Sequence, residues 1–98
     1  MWKRTQDPIK KLLADLRKRS ATKRQQAVEA LGHIQDPRAI RPLIHMLDDA
    51  DYQVQCAAVA ALSQFGADAI EPLIHSIEDG GLSFQENALD VFKAIKDE

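Results

Sequence analysis

A single cysteine, Cys56, leaves this 98-residue chain without an internal disulfide, so nothing in it requires an oxidising compartment. Aromatic residues are only 5% of the sequence and Trp2 is the one tryptophan, so the core is not organised around stacked rings. The 45% that is hydrophobic is mostly Ala, Leu, Ile and Val, side chains that let helices approach closely. No run comes near the roughly 20 apolar residues of a membrane-spanning helix. Residues 1–8 carry Lys3 and Arg4 with no apolar stretch behind them, which argues against a secretory signal. These absences predict one cytoplasmic domain over 1–98, near the lower size limit for an independent core.

What is present is one pattern written three times. Leu12, Leu13 and Leu16 recur as Leu43, Ile44 and Leu47 thirty-one residues later, and as Leu73, Ile74 and Ile77 thirty residues after that. A period near thirty with helical spacing is the signature of stacked helix pairs. The expected fold class is therefore all-α, a short α-solenoid of three pairs and six helices at about 8–35, 36–66 and 67–96.

Local signals place the helices. Asp7-Pro8 reads as an N-cap with proline at the first helical position, opening a helix over 8–18 with Ile9, Leu12, Leu13 and Leu16 on one stripe. Ser20 or Thr22 caps the second helix, whose inward face is Ala27, Val28, Ala30, Leu31 and Ile34. Asp36-Pro37 repeats the opening. Pro42 and Pro72 each remove a backbone donor two residues into a stripe, which predicts a loose or 3₁₀ first turn in both the third and the fifth helix. In the fourth helix Val54, Ala58, Ala61, Leu62 and Phe65 hold the inner spacing, while Ala57, Val59 and Ala60 make it apolar nearly all round, as befits the middle of a stack. Gly66 ends it. Ser83-Phe84-Gln85-Glu86 matches a capping box opening the sixth helix, with Phe84, Ala88, Val91, Phe92 and Ile95 inside.

The net charge of −2 hides an asymmetry. Through residue 24 nine Lys or Arg face two Asp, a net of +7, and from residue 25 onward four basic residues face thirteen acidic ones, a net of −9. Opposite charge at the two ends predicts head-to-tail self-association.

Leu31-Gly32-His33-Ile34-Gln35-Asp36-Pro37-Arg38-Ala39-Ile40-Arg41-Pro42-Leu43-Ile44 resembles the HEAT-like repeats first named for phycobilisome bilin lyases. Gly66-Ala67-Asp68-Ala69-Ile70-Glu71-Pro72-Leu73-Ile74 is a looser copy, and the likeness runs from about Pro8 to Ile95. The resemblance implies that the even-numbered helices line a concave side which meets another protein. Its positions there are Gln25, Gln26, Glu29 and His33 on the second helix, Gln53, Cys56, Ala57, Ala60 and Gln64 on the fourth, and Glu86, Asn87, Asp90 and Ala94 on the sixth. A small apolar centre with a polar rim is how partner-binding patches are built. The alternative is that Cys56, Ala57 and Ala60 pack against adjacent helices. The resemblance also implies an ion pair at Arg24, removed by Gln55 and Gln85 in the later copies, and a small residue at Gly32 and Ser63, replaced by Lys93 in the terminal repeat.

Catalysis has little support in the chain. His33, His45 and His75 are never followed by Glu, so the His-Glu pairs that bind iron in HEAT-repeat hydroxylases are absent, and no metal or cofactor is expected. His45 and His75, at equivalent positions on neighbouring odd helices roughly 8 to 10 Å apart, read as solvated surface residues. Cys56 has no cation beside it in sequence to activate its thiol. Arg17, Lys18, Arg19, Lys23 and Arg24 crowd five cations into the turn between the first two helices, which suits either phosphate contacts of a nucleic acid or a solvated cap. No aromatic is interleaved among them and the rest of the chain would repel a polyanion. The expected function is a non-catalytic protein-binding or scaffold module. Nucleic-acid binding is the alternative, and an accessory role in bilin-lyase processes is what the resemblance adds.

Overall fold

A computed structural model describes residues 7–96 as α1 (Pro8–Asp15), α2 (Ala21–Ile34), a 3₁₀ turn (Pro37–Ala39), α3 (Ile40–Met46), α4 (Tyr52–Phe65), α5 (Ala67–Ile77) and α6 (Leu82–Lys96). Among the described residues there is no strand. Trp2, Lys3 and Arg4 lie outside them. Short polar side chains start the helices by taking up free backbone N–H groups. Asp7 accepts from the Ile9 amide at 3.0 Å, Ser20 from Lys23 at 3.3 Å, Asp36 from Arg38 at 2.9 Å, and Asp51 from Gln53 at 2.8 Å. A cap of this kind contributes about 0.5 to 2 kcal/mol.

The helices form two layers. α2 packs on α4 and α4 on α6, while α1, α3 and α5 cover the other side of their partners. The approach of α2 to α4 is close because position 32 has no side chain. A Cβ built on Gly32 would lie 2.8 Å from the Ala61 Cβ and 3.0 Å from its Cα, inside any real contact distance. The stack measures 42 × 27 × 22 Å. One core runs its length, with Val28, Leu31, Leu43, Ile44, Leu47, Val54, Leu62, Leu73 and Val91 shut off from solvent. No single pair encloses these residues, so each pair's burial depends on its neighbour.

One position ties off the turn inside every helix pair. Arg24 donates from Nη1 to the carbonyls of Lys18 (2.8 Å) and Arg19 (2.9 Å). In the next pair Gln55 donates to the Asp49 carbonyl at 2.6 Å, and in the last Gln85 donates to those of Ile77 and Gly80. Arg24 also crosses to the following pair, with Nε and Nη2 on the two carboxylate oxygens of Asp49 at 3.0 and 3.1 Å. The ion pair implied by the resemblance is thus present once, and glutamine keeps the main-chain part of the role. On the opposite edge Arg38 bridges Asp7 at 3.1 Å and Asp36 at 2.9 Å. Its guanidinium holds both carboxyls below their ordinary pKa, but the site is open to water and adds little stability.

Four local expectations are corrected. α1 stops at Asp15, short of residue 18, because Arg17 and Lys18 turn through tighter bonds to Ala14 and Asp15 and present the carbonyls that Arg24 needs. The 3₁₀ turn exists before α3 but not before Pro72. Pro37 constrains the first of these openings, whereas Gly66-Ala67-Asp68 carries no ring, so α5 starts as regular helix and passes through Pro72. Gly66 makes that junction at φ 63°, ψ −135°, a conformation closed to side-chain-bearing residues. α6 begins at Leu82, with the Gln85 amide bonded to the Gly81 carbonyl, so Ser83 lies inside the helix instead of capping it. Ile34 and Ile74, expected inside, are about half exposed.

Candidate functional site

The outward side of α2, α4 and α6 carries the residues singled out from the sequence. Gln26, Glu29 and His33 are exposed on α2, Gln53, Cys56, Ala60 and Gln64 on α4, and Glu86 and Asp90 on α6. Gln25 is half-buried and donates to Glu29 at 3.2 Å. The open choice at the centre divides. Cys56 and Ala60 face solvent, whereas Ala57 packs partly against the core. Asn87 is not a free surface amide. It is half-buried and donates to the Leu47 carbonyl at 2.8 Å and the Gln55 side chain at 3.1 Å, which fastens α6 to the turn of the preceding pair. The Gln35 amide, on the left-handed residue that ends α2, reaches the Gln64 carbonyl at 2.8 Å and makes a similar tie one pair earlier.

Tyr52 was not among the expected site residues, yet it is 71% exposed and stands one helical turn before Cys56. The Cys56 side chain beside it is the main cause holding the Tyr52 phenol above its ordinary pKa, and the Asp90 carboxylate on α6 adds a smaller electrostatic push. Tyr52, Cys56 and Asp90 therefore share one neighbourhood across α4 and α6. Leu82 is also exposed, and in the repeat register it is the counterpart of Tyr52 and Ala21. That register, an apolar residue at the first position of each even helix, is the signal by which the sequence offers these two.

The basic turn is only partly available. Arg17, Lys18, Arg19 and Lys23 are exposed, but Arg24 is withdrawn into its contacts with Asp49 and the turn carbonyls. Arg17 also borders a largely apolar crevice of about 380 Å³ between α1 and α3, formed with Leu13, Leu16, Pro42, His45 and Met46. His45 and His75 are both exposed, and among the described residues no group of three or more His, Cys, Asp or Glu is placed to hold a metal ion. No described side-chain polar atom is buried without a partner. No helix among the described residues is long and apolar enough to cross a membrane.

A family model described as HEAT repeats matches residues 9–91. Over 58 residues the chain is 38% identical to phycocyanobilin lyase subunit alpha of Synechococcus elongatus (strain ATCC 33912 / PCC 7942 / FACHB-805). That stretch is 59% of this chain and 21% of the lyase subunit, so the match spans about a fifth of the relative's length.

Proposed function

Because the chain belongs to the HEAT-repeat family, we propose that it is a non-catalytic protein-binding or scaffold module whose contact surface is the outward side of α2, α4 and α6. The observation that supports this reading is the exposed strip of Tyr52, Cys56 and Ala60 on the middle helix, flanked by the polar residues Gln26 and Glu29 on α2 and Glu86 and Asp90 on α6. Small apolar side chains leave room for a partner's larger ones to seat, and the polar borders set its register. Ala60→Glu tests the reading, since it places a charge at the centre of the strip without touching the core. Capture of a binding protein from lysate should fall by about tenfold or more, with the unfolding midpoint nearly unchanged. Undiminished capture by the folded variant overturns the proposal.

A second reading rests on the likeness to phycocyanobilin lyase subunit alpha, and gives the module an accessory part in bilin-lyase processes. Titration of phycocyanobilin with the purified chain should then shift the pigment's visible absorption in a saturable way, and an unchanged spectrum removes this reading. Nucleic-acid binding through Arg17, Lys18, Arg19 and Lys23 has the least support. The turn loses Arg24 to an internal role, and the pairs beyond it are acidic.

A further inference from the structure

The two ends of the stack differ in kind. Inside it, apolar residues that face the following helix pair are covered by that pair. Val28 is 0% exposed where α2 meets α4, and Ile44 is 2% exposed where α3 meets α5. In the repeat register Leu89 occupies the place of Val28 and Ile74 that of Ile44, and these are 52% and 51% exposed. Each position stays aliphatic from copy to copy. Among the described residues no helix pair lies beyond α5 and α6 to cover them. Glu71, Glu78, Glu86 and Asp90 make this last pair acidic.

At the other end, α1 and α2 enclose a groove of about 450 Å³ with Leu12, Ala27 and Ala30 among its lining. Lys11, Lys18 and Lys23 border it, with Asp15 bound to Lys11 at 3.3 Å. Lys23 stands where the later pairs bury Val54 and Phe84. One end thus offers exposed leucine and isoleucine among carboxylates, and the other a groove of mixed lining in which Leu12, Ala27 and Ala30 lie among ammonium groups.

We propose that copies of this chain stack head to tail, the α5–α6 end of one seating in the α1–α2 groove of the next. The inference is independent of the partner surface on the outward side of the even helices. The joint between the first two pairs supplies its template. There Leu13, Leu16 and Arg17 border a crevice with Arg41, Pro42 and His45. The same register between copies brings Ile74, Ile77 and Glu78 against Lys10, Lys11 and Ala14, so that the isoleucines meet Ala14 and the lysine stems while the carboxylate meets ammonium. One substitution opposes a perfect copy of that joint. Lys93 takes the place of Gly32, and the counterpart of Ala61 is Ala30. Position 32 has no room even for a Cβ. Lys93 therefore holds the joint wider than its internal models, which makes the association reversible. The contact is heterologous, so it adds copies one after another instead of closing as a dimer.

Sedimentation equilibrium of the full chain over a concentration series, at low and at high salt, tests this. The weight-average mass should rise with concentration at low salt and fall back as salt screens the charges. Leu89→Glu should weaken association by about tenfold or more, and Lys93→Ser, which restores the small residue of the preceding pair, should strengthen it by a similar factor. Both positions are exposed, so the fold is expected to survive, and circular dichroism verifies it. The decisive sample is a mixture. Leu89→Glu blocks the tail and Lys18→Glu/Lys23→Glu blocks the head, so each alone should remain a monomer and the two together should form one-to-one pairs. A monomer at every concentration and salt overturns the proposal. So does a self-association that Leu89→Glu abolishes while Lys18→Glu/Lys23→Glu leaves it intact, since that outcome means tail-to-tail pairing.

Discussion

Leu62→Ala lowers the unfolding free energy by about 2 to 5 kcal/mol, read as a lower midpoint in urea with an unchanged slope. Leu62 is 0% exposed in the middle of α4, the helix that touches both neighbours in its own layer and two of the odd helices. Truncation removes buried methyl groups and leaves a hole that α2, α3 and α6 cannot all collapse to fill. In a fold of this size such a loss is a large fraction of the total, because each pair is held only by the ones beside it. His75→Ala, on an exposed position of α5, should stay within about 0.5 kcal/mol of the parent. A neutral Leu62→Ala would mean that α4 does not carry the core.

Arg24→Met should cost about 3 kcal/mol, the lower end of the range for removing one partner of a buried pair. The Arg24 and Asp49 side chains are 15% and 8% exposed, so their two bonds are poorly screened and the loss should change little with salt. Methionine preserves the packing of the stem but frees the Lys18 and Arg19 carbonyls and strips Asp49 of its cation. Asp49 keeps the Asp51 amide at 2.9 Å, which holds the cost at the low end. Arg24→Gln is the informative companion. Gln55 and Gln85 tie the same turn carbonyls in their own pairs, so glutamine at position 24 should recover the main-chain bonds and restore about 1 kcal/mol. Equal loss in both variants would show that the carboxylate contact carries the whole effect.

The placement of exposed groups followed a different logic from that of the core. Leu43, Leu62, Val54 and Val91 are buried as their spacing requires, since an amphipathic helix has only one way to hide its stripe. The resemblance puts Asn87 on the outward surface, and the basic turn counts Arg24 among its cations. Each is drawn inward by a carbonyl of a turn that is six residues away for Arg24 and forty for Asn87. A polar side chain beside a buried backbone oxygen is held by that oxygen, and sequence spacing does not reveal which oxygens a turn will leave unpaired. The error at Pro72 has a similar origin. A proline costs one hydrogen bond wherever it stands in a helix, but whether the first turn tightens depends on the residues before it, and Gly66-Ala67-Asp68 allowed the helix that Asp36-Pro37 did not.

Periodicity by itself determined that this chain is six helices in three stacked pairs, because a thirty-residue recurrence of helical stripes buries its apolar faces in no other simple way. It also contained the charge division between the ends, which is a sum over residues and needs no coordinates. Tertiary structure alone decided which apolar residues are left uncovered. Val28, Val59 and Leu89 hold the same place in the repeat and are all aliphatic, and Ile44 and Ile74 likewise. Burial is a property of what lies on the far side of a residue, and for the last pair of a stack that information is not in the residue, its neighbours or its period.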